Sequence, residues 1–170
     1  EAVQAADDLP TLYRRIHEAV RSLMPAQNFY LALREPGSDL FSFPYFVDEV
    51  DPPPAPMKLS TGLSGYVIRT GRPLLVNDAT PITHQTRGFA ILPAEGEDAI
   101  YMEAGTPAAV WLGAPLTIRG QTIGVMAVQD YRNPRAFGAS EQGILAFIAE
   151  QTALAIERKR GEQALRESEQ

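Results

Sequence analysis

The hydrophobic positions of the chain begin with a helical period. From residue 9 to residue 23 apolar side chains recur every three or four positions, which predicts an amphipathic helix. Asp7 or Asp8 is the predicted N-cap, and Pro10 suits the first turn. Pro25 then ends the helix. The predicted apolar side consists of Leu9, Leu12, Ile16, Val20 and Leu23, with His17 beside it.

The period then shortens to that of strands. The stretches "NFYLALRE" (28–35) and "LFSFPYFVDE" (40–49) predict two strands joined by a turn over residues 36–39. The following "VDPPPAPMKLS" (50–60) contains too many prolines for a helix or a central strand, so it predicts an exposed, stiff loop. A short helix closed by Gly71 and a short strand from Pro73 to Val76 come next.

A hairpin is predicted over residues 113–130, with its turn at Arg119 and Gly120, and it is apolar on both faces. Surface hairpins normally alternate apolar and polar residues, because only one face meets the core. Both faces of this hairpin must therefore be covered. Alternation places Leu112, Ala114, Leu116 and Ile118 on one face of the first strand, and it separates Ile123, Val125 and Ala127 from Gly124, Met126 and Val128 in the second.

Two terminal helices can cover one face of the sheet, and residues 57–107 are left to cover the other. Within them, the stretch from Asp78 to Pro107 is broken repeatedly by glycine and proline, so it predicts an irregular lid. A lid over an apolar sheet face is a natural place for a small-molecule pocket. A lid packed solid against the sheet is the alternative.

The last element is a helix with Ser140 as its predicted N-cap. Its core stripe consists of Leu145, Ile148, Thr152 and Ala155, after which the sequence becomes charged. Continued to Gln170, the helix is about 30 residues or about 45 Å long, so it projects from the domain. A bend or fray is expected at Gly161.

The composition of the chain disfavours several kinds of partner and excludes every site that needs cysteine. The 170 residues suit one domain, and a net charge of −6 with a pI near 4.9 disfavours nucleic acid and anionic membranes as partners. The sequence has no cysteine, so it has no disulfide, thiolate metal site or cysteine nucleophile. We expect a cytoplasmic fragment of a longer protein, because the chain shows no apolar run of membrane-spanning length, no leader pattern and no initial methionine.

No arrangement of residues predicts catalysis. The stretch "GLSGYV" differs from a nucleophile elbow in its spacing, and no paired carboxylates, Ser-His-Asp set, phosphate loop or metal-ligand cluster stands out. We therefore expect no enzyme activity in this fragment. The residues predicted to line a ligand pocket are Tyr66, Asp78, His84, Arg87, Phe89, Tyr101, Met102 and Trp111, for each of which plain packing or a surface contact is the alternative role.

Three stretches in this order resemble a GAF domain, a sensory and regulatory module of signalling proteins. They are "LSTGLSGYVIRTGRPLLVND", "WLGAPLTIRGQTIGVMAVQ" and "FGASEQGILAFIAEQTALAIE". The resemblance implies an α+β, PAS-related fold: an antiparallel sheet of about six strands, terminal helices on one face and a loop-covered ligand cavity on the other.

The resemblance also allows known GAF ligands to be tested against the residues. Cyclic-nucleotide GAF domains carry an Asn-Lys…Phe…Asp-Glu signature; this sequence keeps Phe137 and Glu141 but has Ser140 at the aspartate position and lacks the Asn-Lys pair. Cyclic nucleotide is therefore disfavoured. Covalent bilin and cysteine-based methionine sulfoxide reduction are excluded because cysteine is absent. Haem needs an axial ligand, and His84 is the one candidate. Haem is disfavoured because a lone histidine in a loop is more often solvated or hydrogen-bonded than a metal ligand. The effector remains unidentified.

The charged end of the chain has two interpretations. It is either a solvated helix end or part of a parallel coiled-coil seam between two protomers, formed by Ile148, Thr152, Ala155, Glu162 and Leu165. We favour the seam, because "ALRESEQ" resembles linkers that lead into PAS or histidine-kinase domains.

Together these observations predict three regions: an N-terminal linker (1–8), a GAF domain (9–157) and a helical linker toward a downstream domain (158–170). The predicted function is a small-molecule-sensing module of a signalling protein, most simply a bacterial sensor histidine kinase of a two-component system. Its predicted partners are an unidentified small molecule, a second copy bound through the terminal helices, and a kinase, PAS or cyclase output domain in the same parent chain. A ligand-free GAF domain acting as a dimerisation or spacer element is the alternative.

Overall fold

The computed structural model describes residues 8–80, 82–84, 89–91, 100–102 and 106–169. Three helices and nine strands lie within them. In chain order they are α1 (Leu9–Arg21), β1 (Asn28–Arg34), β2 (Leu40–Val47), β3 (Met57–Lys58), α2 (Gly62–Thr70), β4 (Leu74–Val76), β5 (Ile82–His84), β6 (Phe89–Ile91), β7 (Ile100–Met102), β8 (Val110–Ile118), β9 (Gln121–Asp130) and α3 (Ala139–Ser168).

Six strands form one antiparallel sheet in the order β3-β2-β1-β9-β8-β4. This confirms the predicted α+β architecture. A second antiparallel sheet, β5-β6-β7, lies within the stretch predicted to be irregular. That part of the prediction is wrong, because each of these strands has only three residues and is too short to show a period.

Helix α1 forms as its sequence predicts. The Asp8 carboxylate accepts a hydrogen bond from the amide of Thr11 at 3.0 Å, and proline occupies the first turn. The helix ends at Arg21, four residues before Pro25. Leu23 therefore lies beyond it and is 55% exposed, which corrects its placement on the buried side.

The β8–β9 hairpin turns where predicted. Arg119 and Gly120 both have positive φ, +49° and +77°, as the tight turns that match the twist of paired strands require. The pairing register shifts after Leu116, so Ile123 has no direct partner on β8. This bulge turns Ile123 toward the terminal helices, away from the face predicted from strict alternation.

Each face of the sheet carries its own apolar cluster. The helix-side cluster lies under α1 and α3 and includes Phe29, Leu112, Val128 and Leu145. The second-face cluster lies under α2 and also contains Ile100 of β7. The second face is thus covered by α2 and part of the second sheet. The remaining buried members of the second-face cluster are Tyr30, Ala32, Phe41, Leu63, Tyr66, Val67, Ile68, Leu74, Trp111, Val125 and Ala127.

Helix α3 is one continuous element of 30 residues. It begins after Gly138, two residues before the predicted cap Ser140, and the Gly138 amide donates to the Glu141 carboxylate at 2.8 Å. The expected bend at Gly161 does not interrupt the helix. The predicted core stripe is buried at Leu145, Thr152 and Ala155 and partly buried at Ile148, whereas no residue from 157 to 169 is buried.

A helix that crosses a membrane needs about 20 consecutive, mostly apolar residues. Within residues 8–169, as far as they are described, no helix is long and apolar enough to cross a membrane.

Candidate functional site

Three hydrogen-bonding side chains meet inside the otherwise apolar second-face cluster. Trp111 Nε1 donates to the Tyr30 hydroxyl at 3.0 Å, and that hydroxyl lies 2.7 Å from Ser64 Oγ. We call Tyr30, Ser64 and Trp111 the hydroxyl–indole trio. Its members come from β1, α2 and β8, so the trio joins the helical cover to two strands of the sheet.

Small residues allow the trio to assemble across the sheet. Strand β9 lies between β1 and β8, and its Ala127 pairs with Tyr30 on one side and with Gly113 on the other. A Cβ atom at Gly113 would lie 2.2 Å from Trp111 Cη2, so the indole lies directly over the glycine. Glycine at 113 is therefore required for this indole position.

Aromatic side chains of β2 form a half-buried rim beside the trio. The ring centroid of Tyr30 lies 5.4 Å from that of Phe43 and 5.3 Å from that of Phe46. The β1–β2 register shifts between Leu31 and Leu33, and this irregularity places Phe43 and Phe46 in the same cluster although they are three residues apart. Tyr45, between them, packs with the helix-side cluster.

The trio is uncharged. Burial raises the pKa of Tyr30 to about 12, although its hydrogen bonds with Ser64 and Trp111 act in the opposite direction. The hydroxyl is therefore neutral near pH 7 and offers donor and acceptor positions only. Throughout the described residues, every buried side-chain nitrogen or oxygen has a hydrogen-bond partner.

The structure brings two of the predicted pocket residues together. Tyr66 and Trp111 are both buried in the second-face cluster. Asp78 is not a member of this cluster; it lies on the exposed turn after β4, where its carboxylate is 2.8 Å from Arg135 Nη1. The roles of these residues in ligand binding stay predictions.

The other predicted pocket residues belong to the second sheet or lie outside the described residues. The register aligns His84 of β5 with Phe89 of β6, and Phe89 with Met102 of β7, so these three share one row; Tyr101 pairs with Ala90 in the next row. Their side chains, and the whole of Arg87, lie outside the described residues, so these predictions stay open.

Comparison with known families decides where this fold belongs. A family model described as GAF domain matches residues 6–157, most of the chain. The chain belongs to the GAF domain family. This GAF domain is therefore a member of a family of regulatory modules, and its predicted fold class is confirmed.

Solved structures show the same fold at low sequence identity. The GAF domain of a phosphoenolpyruvate-protein phosphotransferase from Coxiella burnetii is 17% identical, with a TM-score of 0.69 over 95% of this chain and 90% of that one. The GAF-B domain of DevS from Mycobacterium smegmatis is 15% identical, with a TM-score of 0.65 over 93% and 99%. Free methionine-R-sulfoxide reductase from Neisseria meningitidis is 16% identical, with a TM-score of 0.62 over 93% and 96%. A search of curated proteins gives no significant match.

Sequence reasoning missed two members of the trio in this GAF domain. The sequence pattern gives Ser64 no functional role and places Tyr30 only within a predicted strand (28–35). A signal for Tyr30 was available, because six successive residues of β1 are buried and a tyrosine hydroxyl in such a strand needs a partner. The two partners of Tyr30 are distant in sequence: Ser64 lies 34 positions away and Trp111 lies 81 positions away. No local pattern indicates either of them.

His17 is buried on the helix side of the sheet and is not part of the trio. His17 Nε2 lies 2.6 Å from the carbonyl of Ala26, Nδ1 lies 2.7 Å from the Tyr45 hydroxyl, and the ring stacks on Phe29 at 4.5 Å. Burial lowers the pKa of His17, against a smaller opposing effect of the Ala26 carbonyl. Among the described residues, no group of three or more histidine, aspartate or glutamate side chains is placed to hold a metal ion.

Proposed function

We propose that this GAF domain is a small-molecule-sensing module that passes a ligand-dependent change through α3 to an output domain in the same parent chain. One observation carries the proposal: α3 is a single helix whose first half seals the sheet and whose residues from 157 onward are not buried. A change in the sheet can therefore reach the projecting half without crossing a flexible loop. A sensor histidine kinase of a two-component system is the parent we favour, with PAS or cyclase output as the other choices.

The second-face cluster supports the ligand-binding half of the proposal. Ligand sites are mostly apolar and contain a few placed polar groups, and here the trio lies behind the half-buried rings of Phe43 and Phe46. The chemistry fits a planar aromatic molecule with a hydrogen-bonding edge. The residues we propose for the site are Tyr30 and Ser64 together with the predicted Tyr66, Asp78, His84, Arg87, Phe89, Tyr101, Met102 and Trp111.

Thermodynamics limits how such a ligand acts. It shifts the output only through its difference in affinity for two arrangements of the terminal helices. Coupling between sites is typically about 1–3 kcal/mol, or about 5- to 150-fold in affinity.

The exposed side of α3 supports a homodimer through the terminal helices. Phe147, Leu154 and Leu165 are 64%, 53% and 62% exposed, and their spacings of about two and three helical turns place them on one side. The seam first predicted is wrong at Thr152 and Ala155, because both are buried in their own domain, and Ile148 is partly buried there too. We propose instead a seam of Phe147, Leu154 and Leu165, in which Leu165 is kept from the first prediction and Phe147 and Leu154 are new.

A specific observation favours the alternative, a ligand-free dimerisation or spacer element. Trp111 is only 4% exposed, and its indole N–H is already bonded within the protein. The cluster is thus partly filled by its own side chains. A ligand has to open or enlarge it, which lowers the apparent affinity.

A thermal-shift screen separates the two functions. The probes are free purine and pyrimidine bases, nicotinamide and indole-3-acetate, tested on wild type and on Ser64→Ala, with the exposed Ser140→Ala as the matched control. A hundredfold excess over Kd adds about 2.7 kcal/mol to the free energy of unfolding. Sensing predicts a rise in melting temperature for wild type and the control that shrinks in Ser64→Ala. No rise with any probe favours the spacer.

Two further experiments address the helix. Sedimentation of Leu154→Glu is expected to show a monomer where wild type and Gln151→Glu, an exposed control on the same side, show a dimer. In the parent protein, inserting residues near Gly161 rotates the distal helix and is expected to uncouple the output without unfolding the domain. Unchanged regulation after such insertions would contradict signalling through α3.

A further inference from the structure

The turn that follows β4 is fixed by its own hydrogen bonds. The Asn77 amide donates to Thr80 Oγ1 at 2.9 Å, and the Ala79 amide donates to Asn77 Oδ1 at 2.9 Å. The Thr80 amide donates to the Asn77 carbonyl at 3.0 Å. This rigid turn carries Asp78 and leads into the segment 81–105, which contains the second sheet.

The connection between β9 and α3, residues 131–138, is fixed in the same way. Asp130 Oδ1 accepts from the amides of Arg132 and Asn133 at 2.9 and 2.7 Å, and Asn133 Oδ1 accepts from the Arg135 amide at 2.9 Å. Phe137, one residue before the cap, is buried in the helix-side cluster. The connection is therefore a rigid base for α3.

One ion pair joins these two rigid pieces. Asp78 Oδ1 and Arg135 Nη1 are 2.8 Å apart, with 55% and 64% of the two side chains exposed. An exposed pair of this kind adds little to overall stability, about 0–1 kcal/mol. Its main effect is local, because it holds the turn after β4 against the base of α3.

Thr106, the residue that follows this segment, reaches the same connection by another route. The amide and hydroxyl of Thr106 donate to the two carboxylate oxygens of Asp51 at 2.9 and 2.8 Å. The Asp51 amide donates to Asp48 Oδ2 at 2.8 Å, and the Tyr131 hydroxyl donates to that same oxygen at 2.6 Å. Thr106 is thus linked through Asp51 and Asp48 to the first residue of the connection.

We propose that residues 131–138 form a joint that couples the two stretches flanking the 81–105 segment, the turn at Asp78 and Thr106, to the base of α3. The proposal rests on the proposed sensory function and names its route: a shift at Asp78 or Thr106 is passed to the first turn of α3 through Arg135 and Tyr131. Because both routes end on one short rigid connection, displacements of the two flanking stretches act on the same point of the helix.

Hydrogen exchange on the 170-residue chain, without any ligand, tests the joint. The reporter is the first turn of α3, including the Gln142 amide, which donates to the Gly138 carbonyl. Asp78→Asn and, separately, Tyr131→Phe are expected to accelerate exchange there about two- to fivefold, the range that an exposed ion pair or hydrogen bond supplies. Exchanging the charges, with Asp78→Arg and Arg135→Asp together, is expected to restore the wild-type rate.

Arg119→Gln is the matched control. It removes an exposed ion pair of similar length, Arg119 to Glu157 at 2.7 Å, which also touches α3 but lies outside the joint. It is expected to leave the first turn unchanged. An effect of Asp78→Asn confined to residues 77–80, or a response to only one of the two variants, overturns the joint. Because no ligand is used, failure to find a ligand leaves this result standing, and an unchanged first turn leaves ligand sensing to be tested separately.

Discussion

The two faces of the central sheet are both buried, yet they are built differently. Leu112 and Trp111 are neighbours on β8 and point to opposite sides. Around Leu112 the helix-side cluster is closed by the two terminal helices, and its apolar side chains pack with the buried, hydrogen-bonded ring of His17. Around Trp111 the second-face cluster contains the hydroxyl–indole trio and is closed by the nine-residue α2 and by β7. The first face is sealed by long helices, and the second is sealed by short elements around a trio of hydrogen-bonded side chains.

The largest effect is expected on the helix side. Leu112→Ala leaves a cavity at a fully buried position, and such changes cost about 2–5 kcal/mol of unfolding free energy. Urea denaturation followed by circular dichroism measures this cost, with Leu23→Ala, at an exposed position just after α1, as the control. A cost for Leu112→Ala no larger than that of the control would contradict the assignment of this face as the stabilising core.

A smaller effect is expected on the second face. Trp111→Phe keeps a ring over Gly113 but removes the bond to the Tyr30 hydroxyl, so it combines a lost hydrogen bond, about 0.5–1.5 kcal/mol, with reduced packing. Tyr30 retains Ser64 as a partner, which limits the penalty. A double-mutant cycle with Tyr30→Phe measures the coupling, expected at about 0.5–3 kcal/mol. Additive costs would show that the trio does not act as a unit.

The difference between the faces also explains what sequence can predict. Local signals were reliable: Asp8 caps α1, Gly71 closes α2 in the left-handed conformation, and Arg119 and Gly120 form the hairpin turn. The apolar period also grouped Leu112 with Ala114 on one face of their strand and placed Leu145 in the core stripe of the last helix, because periodicity reports which side of an element is buried.

Features that depend on distant residues could not be predicted in this way. Ile123 changes face because of a bulge in strand pairing, which alternation along one strand cannot show. Strands β5–β7 become strands by pairing with one another, since three residues carry no period of their own. The trio combines both difficulties, because Tyr30, Ser64 and Trp111 are polar groups whose partners are far apart in sequence.

Between the two faces, only the helix side is expected to make the stability of the domain depend on pH near neutrality. His17 is buried with a lowered pKa, whereas the pKa of Tyr30 on the second face is about 12. Neutral His17 is favoured in the folded state, so its contribution is full above pH 6.5, the usual histidine pKa, and is lost as pH falls below it. The loss is at most about 1.4 kcal/mol per pH unit for one proton.

Urea midpoints between pH 5 and 8 measure this effect. Wild type is expected to lose stability toward pH 5 faster than His17→Gln, which has no proton to bind. Trp111→Phe is the control on the other face and is expected to keep the wild-type pH slope. A change of slope in Trp111→Phe would mean that the two clusters are not independent.

The smallest effects are expected for two glycine substitutions in α3. One lies in the half of the helix that packs on the domain, and the other lies in the half that projects from it. A Cβ atom at Gly143 or at Gly161 meets nothing within 4 Å, so alanine fits at both positions and favours the helix by about 0.5–1 kcal/mol. Gly143 lies beside buried residues, and Gly143→Ala is expected to raise the free energy of global unfolding by that amount. Gly161 lies beyond Ile156, the last buried residue, where fraying does not require the sheet to open. In the Leu154→Glu background, which is expected to be monomeric, Gly161→Ala is therefore expected to slow hydrogen exchange in residues 158–168 while leaving the urea midpoint unchanged. A raised midpoint would instead mean that the projecting half is packed against something in solution, and sedimentation of the same sample would show whether that is a second copy.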